Sequence, residues 1–199
     1  MSYYPAPGTQ PVRRIPKTWL TFMIATTGLF GLCCLGVLWG FAAKGGNDVL
    51  VLVYSGGGIV VLGIAWLALA ITGIAAYRRF VLATIVPAML VMVGALVLLG
   101  IPGKVGWALT KPALERAAAS CAKTDHAGRI GLYTFNYVRP EGDGGCSFTL
   151  DGALLGPDGY ALFPGTPPQS AKAGAGSGTD YTRYDGNWFT FDNFVESWV

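Results

Sequence analysis

A chain of 199 residues with 52% hydrophobic and 13% charged side chains, and a mean hydropathy of +0.47, has too little polar surface to cover itself in water. Its formal net charge of +3 is split unevenly: six basic and one acidic residue lie in 1–103, eight basic and ten acidic in 104–199. The net charge therefore argues nothing about nucleic acid, which is not an expected partner, and the balance divides at a membrane.

The first stretch, residues 1–17, is polar and Pro-rich, with Tyr3, Tyr4, Pro5, Pro7, Pro11 and Pro16, and has no hydrophobic period to fold on. It is predicted to be a disordered cytoplasmic tail. Three runs follow within residues 18–101, at 19–41, 50–77 and 80–100, and none contains Asp, Glu, Lys, Arg or His. A bilayer core about 30 Å thick needs roughly 20 apolar residues at 1.5 Å per residue, so each run is long enough to span it. The first run exceeds the usual apolar core of a signal peptide and lacks a small-x-small cleavage site, which predicts a retained anchor.

Positive charge near the helix ends gives the expected orientation. Arg13, Arg14 and Lys17 precede the first run, and Arg78 and Arg79 fill the turn between the second and third. By the positive-inside rule both places face the cytoplasm, which leaves residues 104–199 outside. Gly36 and Gly40, four residues apart in the first run, and Gly63 in the second favour close helix packing, within the chain or between copies. Pro87 is expected to kink the third helix. With no ionisable side chain inside the spans, a transport path is not expected, and the helices read as an anchor and a packing surface.

Ile101-Pro-Gly-Lys reads as a helix break, and Thr110 to Cys121 as a short amphipathic helix with Pro112 in its first turn. Arg129 to Arg139 alternates as one strand, placing Tyr133, Phe135 and Tyr137 on one side and Ile130, Leu132 and Val138 near the other. Cys146, Phe148 and Leu150 continue the period-two pattern after a Gly-rich loop. A short strand covers Tyr160 to Phe163, and a last hairpin turns at Asp185-Gly186. Residues 164–179, rich in Gly, Ala, Ser and Pro, are expected to form a flexible loop.

Cys121 and Cys146 are the only cysteines in the polar half, whereas Cys33 and Cys34 lie mid-span. In an oxidising compartment a lone pair predicts a disulfide, worth about 3 kcal/mol for a loop of about 25 residues, while a redox role lacks a Cys-x-x-Cys spacing. The expected fold is thus three transmembrane α-helices followed by a small extracytoplasmic α+β domain, a short helix plus an antiparallel sheet with one disulfide.

Candidate chemistry is sparse. Asp-Gly pairs at Asp143, Asp151, Asp158 and Asp185 lack the Asp-x-Asp-x-Asp-Gly spacing of a calcium loop and read as turns. His126 is the single histidine, so a multi-histidine metal site is excluded and a catalytic triad has no nucleophile motif to join. Glu141 and Asp143 sit in a Gly-rich turn rather than a recognisable carboxylate pair. No enzyme activity, metal or cofactor is expected. The feature with functional reach is the aromatic set, and Tyr133, Phe135, Tyr137, Tyr184, Trp188 and Phe189 are the candidate binding surface, with core packing as the competing reading.

The Tyr/Pro-rich tail, the Ala/Gly/Val/Leu-rich spans and outer segments such as Arg129-Ile-Gly-Leu-Tyr and Asp185-Gly-Asn-Trp-Phe resemble, in layout, uncharacterised integral membrane proteins of high-GC Gram-positive, actinobacterial type. The resemblance implies a cell-envelope setting and no particular activity. The expected partners are the lipid bilayer and a larger membrane complex or a second copy. The role expected is a non-catalytic accessory or scaffold protein, with an extracytoplasmic binding module for a small molecule, lipid or glycan as the alternative.

Overall fold

The computed structural model describes residues 17–46, 48–77, 81–152, 157–166 and 177–195. The tail expected to be disordered, the Arg78-Arg79 turn and most of the 164–179 loop lie outside the described residues. Four helices, α1 (Lys17–Ala42), α2 (Asp48–Tyr77), α3 (Val81–Leu98) and α4 (Ile101–Ser120), precede six strands. The strands are β1 (Gly128–Ile130), β2 (Tyr133–Pro140), β3 (Cys146–Leu150), β4 (Gly159–Leu162), β5 (Ser177–Asp185) and β6 (Trp188–Val195). The chain divides into two compact units, Met1–Gly36 with Tyr54–Ala95 and Val37–Val53 with Leu96–Val199.

In the first unit α1 and α2 run antiparallel, with small residues under large ones. Gly73 lies beneath the Trp19 ring, Gly63 beside Phe30, Gly58 beside Cys33 and Gly36 beside Ser55. A Cβ at Gly36 would strike the Ser55 hydroxyl, so this glycine allows a close approach that alanine would disturb. The Trp19 Nε1 donates to the Leu69 carbonyl at 3.3 Å across the same pair. Phe30 is fully buried, yet Phe22, Val61 and Val91 stand 65–73% exposed. Such an apolar outer surface fits a membrane protein.

Two helices, Lys17–Ala42 and Val49–Ala75, are long and apolar enough to cross a membrane, and the third candidate is a bent pair, Ala83–Leu98 with Ile101–Ser120, turned by 58° at the break. Two or three spans follow, in place of the three separate ones expected.

The break between α3 and α4 differs from expectation in place and cause. Gly100, at φ 66°, ends α3 with its N–H on the Val97 carbonyl and caps α4, whose first turn takes Pro102. Proline has no N–H to lose there, so it starts a helix and does not break one. The amphipathic helix expected from Thr110 therefore begins nine residues earlier, at Ile101. Gly106 lets it lie against the end of α1, where a Cβ would collide with the Ala42 carbonyl.

In the second unit the strands form one antiparallel sheet in the order β1-β2-β3-β4-β6-β5. The single strand expected over Arg129 to Arg139 is two strands, because Gly131 at φ 63° opens a two-residue turn that pairs Ile130 with Tyr133. Thr110 packs so close to Gly131 that no Cβ fits, and its Oγ1 accepts from the Leu132 N–H. The β5–β6 turn is displaced by one residue from the expected position. Asp185 pairs with Trp188, leaving Gly186 and Asn187 as the loop, with Gly186 at φ 61°. Residues Ser177 to Thr179, expected in the loop, belong to β5 and pair with Asn193 to Val195.

α4 covers one face of the sheet and builds the core from Trp107 and Leu114 with Tyr133, Phe135, Val138, Cys146, Phe148, Leu150, Tyr160 and Trp188. The Cys121–Cys146 disulfide joins the end of α4 to β3 with Cα atoms 5.9 Å apart. Residues of the α1–α2 connection join the same unit: Thr134 N–H donates to the Lys44 carbonyl at 2.8 Å, and Gly46 N–H to the Asp151 carbonyl at 2.7 Å.

Candidate functional site

Trp107, projected from α4, is the hub of the inner face. It stacks on Tyr160 at 5.0 Å and meets Tyr184 and Trp188 edge-on at 4.9 and 5.4 Å. Tyr133 stacks on the Tyr160 ring at 5.5 Å, and the Lys44 ammonium stands 6.0 Å from that ring's centre. One turn along α4, Lys111 Nζ donates to Asp185 Oδ2 at 2.7 Å, and Trp107 Nε1 donates to the same oxygen at 2.9 Å. The Lys111 hydrogen bond, then that of Trp107, holds the Asp185 carboxyl below its usual range. The Asp185 side chain is therefore a clasp between the β5–β6 turn and α4, beyond the turn role read from Asp-Gly.

Burial sets the phenols. It pushes Tyr133 up to about 12 and raises Tyr160 as well, with the Tyr133 neighbour second. Tyr184 is raised by burial and then by Asp185. None of these rings is activated as an acid or base near neutral pH.

The six candidate rings do not form one surface. Tyr133, Phe135 and Trp188 are in the core under α4, and Phe189 is buried on the opposite face in a cluster with Ala161, Phe163 and Phe191. Tyr137 and Tyr184 alone among the six are open, at 41% and 42% exposed. Alternation alone would have put Tyr137 beside Tyr133 and Phe135. The register slips between Phe135 and Tyr137, so Asn136 is an extra residue, Val138 takes the core side and Tyr137 turns away. On that outer face the Arg139 guanidinium lies 5.1 Å from the Tyr137 ring centre. Tyr181 crosses Phe163 edge-on at 5.4 Å on the same face, and burial raises its phenol.

The remaining polar candidates brace neighbouring segments or stand exposed. Glu141 Oε1 accepts from Ser147 Oγ at 2.7 Å, and Asp158 Oδ2 accepts from the Asn193 N–H at 2.7 Å. Asp151 pairs through its carbonyl with Gly46, and His126 is exposed. Among the described residues no three His, Cys, Asp or Glu side chains gather where they could hold a metal. Two cavities in this unit involve the α1–α2 connection: one of about 170 Å³ beside Gly40, Lys44 and Gly103, and one of about 230 Å³ beside Trp39, Gly45 and Arg129. None of the six rings lines either.

Trp107 and the Lys111–Asp185 pair were not visible as a site in the sequence, because 78 and 74 positions separate the partners. What the outer face presents is an exposed ring beside a cation, Tyr137 with Arg139. Compared with protein-family models, curated proteins and solved structures, the chain matches none.

Proposed function

We propose that this chain is a membrane-anchored accessory or scaffold protein whose sheet domain is an extracytoplasmic, non-catalytic interaction module. The observation that carries the reading is the distribution of rings on the sheet. Trp107, Tyr133, Tyr160 and Trp188 pack against one another, while Tyr137 with Arg139 is left open on the face away from α4. An aromatic ring and a guanidinium exposed on the open face of a sheet favour a macromolecular partner, because a small ligand needs concave walls to bury it.

Three features support the outward placement of the domain. A disulfide persists in oxidising compartments. The Arg13, Arg14, Lys17 and Arg78, Arg79 clusters favour the cytoplasmic side for the start of α1 and the α2–α3 turn. The connection from Ala43 to Gly46, at the opposite ends of α1 and α2, hydrogen-bonds the sheet, as an outer loop and an outer domain would.

The test is mass spectrometry of proteins retained by the tagged full-length chain, purified from its native membrane in mild detergent beside an unrelated multi-span control. A reproducible stoichiometric partner that is lost in Tyr137→Ala or Arg139→Ala, with the disulfide still formed, is the expected result. Isolation of the chain alone overturns the accessory reading for stable complexes.

A further inference from the structure

Helix α4 has two faces that both look apolar at first, and they serve different neighbours. One buries Pro102, Gly106, Trp107, Thr110 and Leu114 within its own unit. The other presents Ile101, Val105 and Leu109, at intervals of four residues, which are 37%, 49% and 64% exposed. Ala108 and Pro112 lie on this outward face between them and are also exposed. Further along the helix the same face carries Glu115, Arg116, Ala119 and Ser120. Apart from Lys104 at its edge, the outward surface therefore changes from apolar to charged within one turn, between Pro112 and Glu115.

The apolar half continues without interruption from the end of α3, where Leu98 is 90% and Leu99 64% exposed. That end belongs to a helix already apolar enough to count toward a membrane crossing. At 1.5 Å per residue, Ile101 to Leu109 extends the apolar strip by about 12 Å along the helix axis. Left in water, a row of five large apolar side chains beside a span is costly; against acyl chains it is not. Lys104, exposed at the edge of the row, has a stem long enough to carry its ammonium to lipid headgroups.

We propose that the outward face of α4 from Ile101 to Pro112 is a lipid-contact surface lying in the interfacial layer of the bilayer, and that the water boundary falls between Pro112 and Glu115. The helix then does two jobs. Its inner stripe forms the core with the sheet, and its outer stripe fixes the depth at which that unit rides on the membrane.

A depth measurement on the full-length chain tests this. A background with Cys33→Ala and Cys34→Ala keeps the Cys121–Cys146 disulfide, and single cysteines at 105, 109, 115 and 119 carry a polarity-sensitive fluorophore. The protein is reconstituted in phosphatidylcholine–phosphatidylglycerol vesicles. Brominated lipid should quench positions 105 and 109 several-fold more than 115 and 119, and aqueous iodide should show the reverse order. Each labelled protein is checked for the disulfide on a non-reducing gel; if the label at 109 prevents it, exposed Ala108 on the same face replaces that position. Equal iodide access at 105, 109 and 115 overturns the proposal. So does protection of 105 and 109 from both quenchers, which would place a second copy or another protein on this face.

Discussion

Removing the Cys121–Cys146 bond tests how the sheet domain is held together. Both half-cystines lie beyond the last strongly apolar helix, so the segment between them is free to expand when the domain unfolds, even with α1 to α3 still helical. For a separation of 25 residues the chain-entropy relation gives about 3.5 kcal/mol at 25 °C. The Cys146 side chain is 2% exposed within the core, so Cys146→Ala adds a small cavity worth about 1 kcal/mol. A domain of this size is typically stable by about 5–15 kcal/mol, so the combined loss is a large fraction of the total, with a fall in Tm of about 20–35 °C. The assay is thermal unfolding of the full-length chain in detergent, followed by tryptophan fluorescence, since Trp107 and Trp188 are both buried in this core. Cys146→Ala, the double variant with Cys121→Ala, and reduced wild type should fall together within about 1 kcal/mol, because one bond is lost in each. If the losses from Cys121→Ala and Cys146→Ala, each measured alone, add in the double variant, or if reduction leaves the wild-type transition unmoved, the bond does not act by restricting the denatured chain and the reasoning fails.

Other perturbations follow from the same geometry. Gly106→Ala drives a methyl into the backbone carbonyl of Ala42 and should cost about 1–3 kcal/mol in the same melt, whereas Gly103→Ala, whose nearest neighbour is 3.9 Å away, should be neutral or stabilising. At alkaline pH the buried phenols destabilise the fold: Tyr133 loses its proton near 10 when unfolded but at about 12 when folded, so the unfolded state gives up protons first and stability falls by about 1.4 kcal/mol per pH unit across that window. Base unfolding followed by tyrosinate absorbance should be cooperative with loss of the tryptophan signal; gradual ionisation of the native protein would contradict the burial. Asp185→Asn should lower the Tm at neutral pH, and because the folded carboxyl titrates below its usual value, the gap from wild type should close as pH falls through that lowered value. A gap that persists in strong acid would assign the effect to the lost geometry instead of the charge.

How much of this could be read from the residues follows from how local each signal is. Charge-free runs of twenty residues declare themselves, since the bilayer sets their length and forbids charge at every position. The disulfide was legible because only two cysteines stand in the polar half. The extent of α4 was not, because Pro102, Gly103 and Gly106 all look like breakers, and what makes Gly106 favourable is the Ala42 carbonyl, 64 positions earlier in the chain. The sheet order was equally hidden. β4 pairs with β6, and Lys44 bridges to Tyr133, across gaps that no alternation pattern records.

Asn136 shows how one residue can relocate a surface. In a strand of strict period two, Tyr133, Phe135 and Tyr137 would share the core face and Val138 would point away, which is the pattern the sequence displays. The bulge uses Asn136 without a partner: Phe135 lies opposite Leu150, and Tyr137 opposite Thr149, the very next residue back along β3. From that point on every parity is reversed. Val138 faces Phe148 in the core, and Tyr137 and Arg139 share the outer face, two residues apart and close enough to stack. The core thereby takes the smaller β-branched Val138, in one cluster with Cys146 and Phe148, in place of a third tyrosine. The exposed ring and its cation are thus the other side of a packing solution, and the candidate interaction surface exists because the strand carries one residue more than its neighbour.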